Sequence, residues 1–284
     1  MSDNCFFIGT REKMIQMRAP SVSMPSSKVG WENRINYLNG GATIRRSRAA
    51  HKNYVLTWNS IDRDEARKLL DLADGIYGTS YIYWHDPFTA NRNVLPQWWA
   101  SPMQGGYDGL PLNGEARGTL FATSANSLDM PVQSIEYTVT IGTSRSIWVP
   151  IPMGYTAWVG AYGADGTGGT LVATPTFAGG TEGPEDTLTL LDVSDDSRFT
   201  ESYSSSLYNG VELRMAGAGT ILLTAMMVQV LPTGVTPETG PFISGQGNSG
   251  CSFATQPTYT PYSAAFDRVG VVAELVETGG WNEE

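Results

Sequence analysis

Two imidazoles, His51 and His85, are all that the chain offers for acid–base work near neutral pH. His85 directly precedes Asp86, and such a pair could orient a base for a serine nucleophile. The aromatic run Tyr81-Ile82-Tyr83-Trp84 before it and the Asp86-Pro87 turn after it explain both residues more simply, as the end of a strand. The chain has no HExxH pair, no GxSxG elbow and no GxxxxGK[ST] loop. Glu182 with Glu185, or Asp195 with Asp196, have the residue types for glycoside hydrolysis, which needs one protonated and one ionised carboxyl. They fall in polar loops that offer no apolar surroundings to raise one pKa. Asp192, Asp195 and Asp196 lack both the spacing and the glutamate of a calcium hand loop. Cys5 and Cys251, the only cysteines, show no metal spacing and read as reduced thiols, which would approach each other if both ends of the chain shared a domain. The expectation is a non-enzyme with no catalytic residues, no metal ligands and no cofactor.

Binding chemistry has more to draw on. Trp148, Tyr155, Trp158 and Tyr162 cluster in one stretch, and sugar recognition sets aromatic platforms beside polar groups. Trp148, Trp158 and Tyr162 share parity, although alternation alone leaves open whether the common face is a glycan platform or a packed core. Arg45, Arg46 and Arg48 form a basic cluster suited to an acidic partner subunit or to a solvated loop. Trp98 and Trp99, between Pro96 and Pro102, are an apolar load that is either core or interface.

Charge is divided unevenly. Residues 1–68 hold 12 of the 18 Lys and Arg but 6 of the 28 Asp and Glu, in a chain of net charge −10. A basic beginning and an acidic remainder suit contacts between successive copies and discourage sequence-specific nucleic-acid binding. No run approaches the roughly 20 apolar residues that span a bilayer, and no hydrophobic signal core precedes a cleavage site. Neither membrane insertion nor export is expected, and synthesis is expected to be cytoplasmic.

The elements that must position these residues are mostly strands. Only 16% of residues are charged, while 32 Gly and 16 Pro punctuate the chain, a pattern of short strands and tight turns. Tyr54–Trp58 alternates as a strand. Ser60–Asp74 reads as the one helix, capped by Ser60 or Asn59 and ended by Gly75, with Ala66, Leu69, Leu70 and Ala73 forming its buried stripe. A strand at 81–84 follows, with Trp98 and Trp99 completing the same core. Beyond a boundary near Leu128, strands at 134–141, 146–151, 156–162 and 221–230, a hairpin at 165–169 and a longer loop at 178–184 predict a jelly-roll or galectin-like sandwich. The strand-like run 270–278 needs a sheet to join. The expectation is therefore a mostly β fold with one helix. A discontinuous module of residues 1–128 plus 236–284, itself a β-sandwich or barrel, carries the sandwich of residues 129–235 as an insertion.

Three stretches carry a resemblance: YVLTWNSIDRDEARKLLDLAD at 54–74, YIYWHDP at 81–87 with the following Trp98-Trp99, and GQGNSGCSFA at 245–254 with DRVGVVAELVETGGW at 267–281. As a set they resemble the distal-tail-like minor tail proteins of long-tailed, siphovirus-type phages infecting actinobacteria. The resemblance is lowest across the inserted sandwich. It implies a virion protein that forms a homo-oligomeric ring, usually a hexamer, at the distal end of the tail tube. Its neighbours would be the tail tube protein, the tail-tip hub or tail-associated protein, and the tape measure protein. The ring would leave a lumen for DNA, so Arg45, Arg46 and Arg48 are expected to face protein neighbours, since inward-facing cations would retard the genome. The alternative is a carbohydrate-binding receptor-recognition module of the tail tip, meeting host surface glycans through Trp148, Tyr155, Trp158 and Tyr162.

Overall fold

The computed structural model describes residues 5–21, 26–29, 32–36, 42–46, 51–85, 92–100, 117–119, 134–139, 146–165, 167–192, 198–237, 245, 247–263 and 267–278. Strands β1 (Cys5–Gly9), β2 (Met14–Arg18), β3 (Ser26–Val29), β4 (Glu32–Asn36), β5 (Ala42–Arg46) and β6 (His51–Asp62) precede helix α1 (Arg63–Ala73). Strand β7 (Tyr83–His85), the short helix α2 (Gln97–Ala100) and β8 (Arg117–Thr119) follow. Next come β9 (Ser134–Val139), β10 (Ser146–Pro150), β11 (Tyr155–Asp165), β12 (Gly169–Thr176), β13 (Asp186–Thr187), β14 (Glu201–Ser204), β15 (Gly210–Gly217) and β16 (Gly219–Pro232). The last three are β17 (Cys251–Phe253), β18 (Thr258–Ser263) and β19 (Arg268–Glu277). The protein is mostly β, and its strand ladders are antiparallel.

The first core is wrapped by a rolled sheet. The order β2-β1-β7 continues through paired backbone bonds between Ile82 and Cys251, both 2.8 Å, into β17-β19-β6-β3. Ser21 N–H to the Thr57 carbonyl (2.7 Å) and the Trp58 indole to the Arg18 carbonyl (2.8 Å) tie the far side back to β6. Alternation decides which side chains enter: Phe6 and Ile8 from β1, Leu56 and Trp58 from β6, Ile82 and Trp84 around β7, and Val271, Ala273 and Leu275 from β19. The final strand β19 thus pairs with β6 from Arg268–Asp62 to Val276–Asn53. Glu277, which is 1% exposed, locks that end by accepting bonds from the Ser249 N–H (2.9 Å), the Ser249 hydroxyl (3.0 Å) and the Lys52 N–H (3.1 Å).

The helix begins later than its sequence pattern predicts. Ile61 still pairs with Val269 and is fully buried, so β6 runs straight to Asp62, which caps α1 without a side-chain bond. Starting the helix at Arg63 rotates its buried stripe to Ala66, Leu69 and Leu72, while Leu70 and Ala73 are half-buried. Arg63, Arg67 and Lys68 face outward.

The second core lies between the sheets β10-β15-β12-β13 and β14-β11-β16-β9-β8. The 165–169 turn is not the expected hairpin, because β11 and β12 belong to opposite sheets. It crosses between them, as does the 217–219 turn, and the two crossings touch. A Cβ on Gly219 would lie 1.5 Å from the Thr167 carbonyl oxygen, and Gly219 adopts φ 147°, so only glycine fits.

Trp99 also departs from expectation. It belongs to the sandwich core, with Leu95 and Ala100, and not to the first core. Beyond Leu223, where its pairing with β9 ends, β16 needs other partners, and the 92–100 segment supplies them. Val94 N–H donates to the Val228 carbonyl (2.9 Å), the Asn93 amide donates to the Met226 carbonyl (2.7 Å), and Val228 N–H donates to Asn93 Oδ1 (3.1 Å). Trp98 lies in α2, but its side chain, like those of Arg45 and Arg46 in β5 and all of Arg48, lies outside the described residues.

Candidate functional site

The same alternation that fills the first core sends the intervening side chains toward the sandwich. Phe7 lies between Phe6 and Ile8, and Tyr83 and His85 flank Trp84, so these three rings point away from the first core. Tyr155, at the start of β11, receives Phe7 edge-on at 5.7 Å and His85 at 4.9 Å. Trp148 sits between the core residues Ile147 and Val149 and therefore projects from the opposite face of its sheet, where Tyr83 meets it at 4.6 Å. Gly210 makes room for the indole, since a Cβ there would fall 2.1 Å from a Trp148 ring carbon.

Polar contacts complete the junction. The Trp148 indole N–H donates to Thr176 Oγ1 (2.9 Å), Thr176 donates to Asn209 Oδ1 (2.9 Å), and the Asn209 amide donates to the Arg11 carbonyl. The Arg11 guanidinium pairs with Glu212 and lies 3.9 Å from Glu182. Gly179 N–H donates to the Glu12 carbonyl (3.0 Å), and the Ser80 hydroxyl donates to the Glu12 carboxylate (2.8 Å). The β1–β2 turn is thus held against both the 77–80 segment and the sandwich.

Beside these contacts lies a cleft of about 400 Å³, lined from one side by Arg11, Tyr81 and Tyr83 and from the other by Ser146, Trp148 and Glu212. Its charged groups neutralise each other. Burial raises the Tyr83 phenol well above its ordinary range, so it remains a protonated donor.

The four aromatic candidates for glycan contact do not form one platform. Trp148 is 3% exposed and covered by Tyr83. Tyr155 is half-buried under Phe7 and His85. Tyr162, 1% exposed, packs with Ala225 and Leu191. Trp158 shares the outer face of β11 with Tyr162, is half-buried, and keeps its indole N–H without a partner among the described residues. Shared parity put Trp158 and Tyr162 on one face, but a neighbouring loop buries Tyr162, and Trp148 belongs to the other sheet.

Among the described groups with catalytic residue types, His85 and Cys251 are buried, and Glu182 and Glu185 lie beside arginines. His85 is 3% exposed and meets Tyr155 edge-on, and burial lowers its pKa to about 4, so it is neutral at physiological pH. Glu185 pairs with Arg214. Burial raises the Cys251 thiol pKa, which keeps it protonated inside the first core. Asp86, Asp195 and Asp196, and the side chains of His51 and Cys5, lie outside the described residues. Among the described residues no group of three or more His, Cys, Asp or Glu is placed to hold a metal, and no helix is long and apolar enough to cross a membrane.

No protein-family model matches the chain, and no curated protein matches it. Among solved structures, the CBM22-1 xylan-binding domain of Paenibacillus barcinonensis Xyn10C aligns over 50% of this chain and 96% of that domain, at 12% identity and a TM-score of 0.24.

Proposed function

We propose that the chain is a structural, non-enzymatic subunit of the distal-tail type. It would assemble into a homo-oligomeric ring that joins a phage tail tube to the tail-tip hub and leaves a lumen for DNA. The observation that carries this reading is the composition of the first core. The three stretches that resemble distal-tail proteins are far apart in sequence, yet each contributes to one packed cluster: Leu56, Trp58 and Leu69 from the first, Ile82 and Trp84 from the second, and Cys251, Val271 and Leu275 from the third. A shared core is what a common module requires, because residues that pack together constrain one another. The sandwich, which draws on residues 92–100 and β8 as well as on β9 to β16, interrupts this module between β7 and β17. Negative-stain electron microscopy of the full chain tests the reading. Closed rings with a central opening are expected, and a field of single particles at every concentration would oppose it.

A second reading, a glycan-binding receptor-recognition module, draws on Trp158. Its indole lies half-buried on the non-core face of β11.

A further inference from the structure

The rolled sheet and the sandwich meet across a joint that differs from either core, because a titratable ring is buried in it. We infer that this joint is an acid-sensitive hinge: protonation of His85 separates the sandwich from the rolled sheet while each part keeps its own fold.

The placement of His85 carries the inference. It stands opposite Phe7 in the β1–β7 ladder, and both rings turn away from the first core to meet Tyr155 of the sandwich. The residue is 3% exposed, and its Nε2 has no hydrogen-bond partner among the described residues. An imidazolium there would need an acceptor for its added proton and water or a counter-ion for its charge. No charged group acts on the ring, since burial alone lowers its pKa, to about 4. Phe7 on β1 is apolar, and Tyr155 on β11 faces it as a neutral aromatic ring. On β7 itself, burial raises the Tyr83 phenol and keeps it protonated. The adjoining Asp86 lies outside the described residues. The other charged groups of the joint are engaged around the β1–β2 turn, Arg11 with Glu212 and Glu182, and Glu12 with Ser80.

Separation gives the ring to water, so the open joint binds the proton more tightly than the closed one. By linkage the closed form holds its full advantage above about pH 6.5 and loses it as pH falls. By about pH 4 the closed-to-open ratio has dropped about 300-fold. The two cores are built of apolar side chains, which have no proton to gain.

This device is independent of ring assembly, because both sides of the joint belong to one chain. Gly179 is a local reporter. Its N–H donates to the Glu12 carbonyl across the joint at 3.0 Å, so closure shields it from exchange. Amide hydrogen exchange of the full chain would be read near pH 6.5 and near pH 4, corrected for the intrinsic rate at each. Protection of Gly179 should fall about 300-fold, while the amides of β16 and β19 keep theirs. His85→Phe, shown by circular dichroism to be folded, keeps an aromatic ring without the titrating group and should remove most of that fall. Equal protection of wild-type Gly179 at both pH values would overturn the inference. So would loss of protection in β16 and β19 together with Gly179, or the same fall in folded His85→Phe. The wild-type readings decide between opening and no opening without the variant.

Discussion

Burial accounts for His85 more fully than catalysis does. Its folded pKa of about 4 lies below the ordinary 6.5 because desolvation penalises the imidazolium. As pH falls the unfolded chain therefore binds the proton first. The resulting stabilisation is complete above about 6.5, shrinks through the interval and is gone once pH is below about 4, and its full size is about 3 kcal/mol. Chemical denaturation of the wild type and of His85→Phe across that interval checks this. The stability difference between them should change by about that amount, and a difference independent of pH would show that the imidazole is not desolvated. The aromatic company of His85 was readable from Tyr81–Trp84, but its partner Tyr155 was not, since nothing local ties β7 to β11. The cleft was hidden for the same reason. Arg11, Tyr83, Ser146 and Glu212 are scattered along the chain, and only the closing of the rolled sheet against the sandwich brings them together.

At the level of elements, β19 is the strand on which the first module depends most. It pairs with β6, β17 and β18 and contributes Val269, Val271, Ala273 and Leu275 to the core. Ending the chain before Arg268 should therefore remove the native packing around Trp58 and Trp84. Near-ultraviolet circular dichroism should lose the corresponding signal, and a truncated protein that melts like the full chain would refute the dependence. The alternation of 270–278 made this strand legible, and the long apolar run 221–230 did the same for β16. Boundaries were less legible where two periods overlap. Ile61 fits the helical pattern of 60–74 locally, but its partner Val269 holds it in the strand. Trp99 was read as first-module core from its neighbours in sequence, whereas the open edge of β16, far along the chain, captures it. The 165–169 turn has the glycines of a hairpin, yet the same residues also serve a crossing between sheets, and only the facing 217–219 turn decides which.

For the molecule as a whole, the proposed ring rests on two features of different scale, the shared first core and the split of charge along the chain. Basic residues concentrated in 1–68 and acidic ones beyond favour head-to-tail contact between copies, and heterologous contacts of that kind close into rings when the rotation permits. Such contacts weaken as salt shortens the screening length to about 10 Å near 0.1 M. The Arg11 pairs are already engaged within one chain, so they hold the sandwich to its own first module rather than to a neighbour. The central claim is assembly, and the solution mass of the full chain by light scattering, at low and at moderate salt, tests it most directly. A closed oligomer of about six subunits that loosens as salt rises is the predicted result. A strict monomer at every concentration and both salts would contradict it.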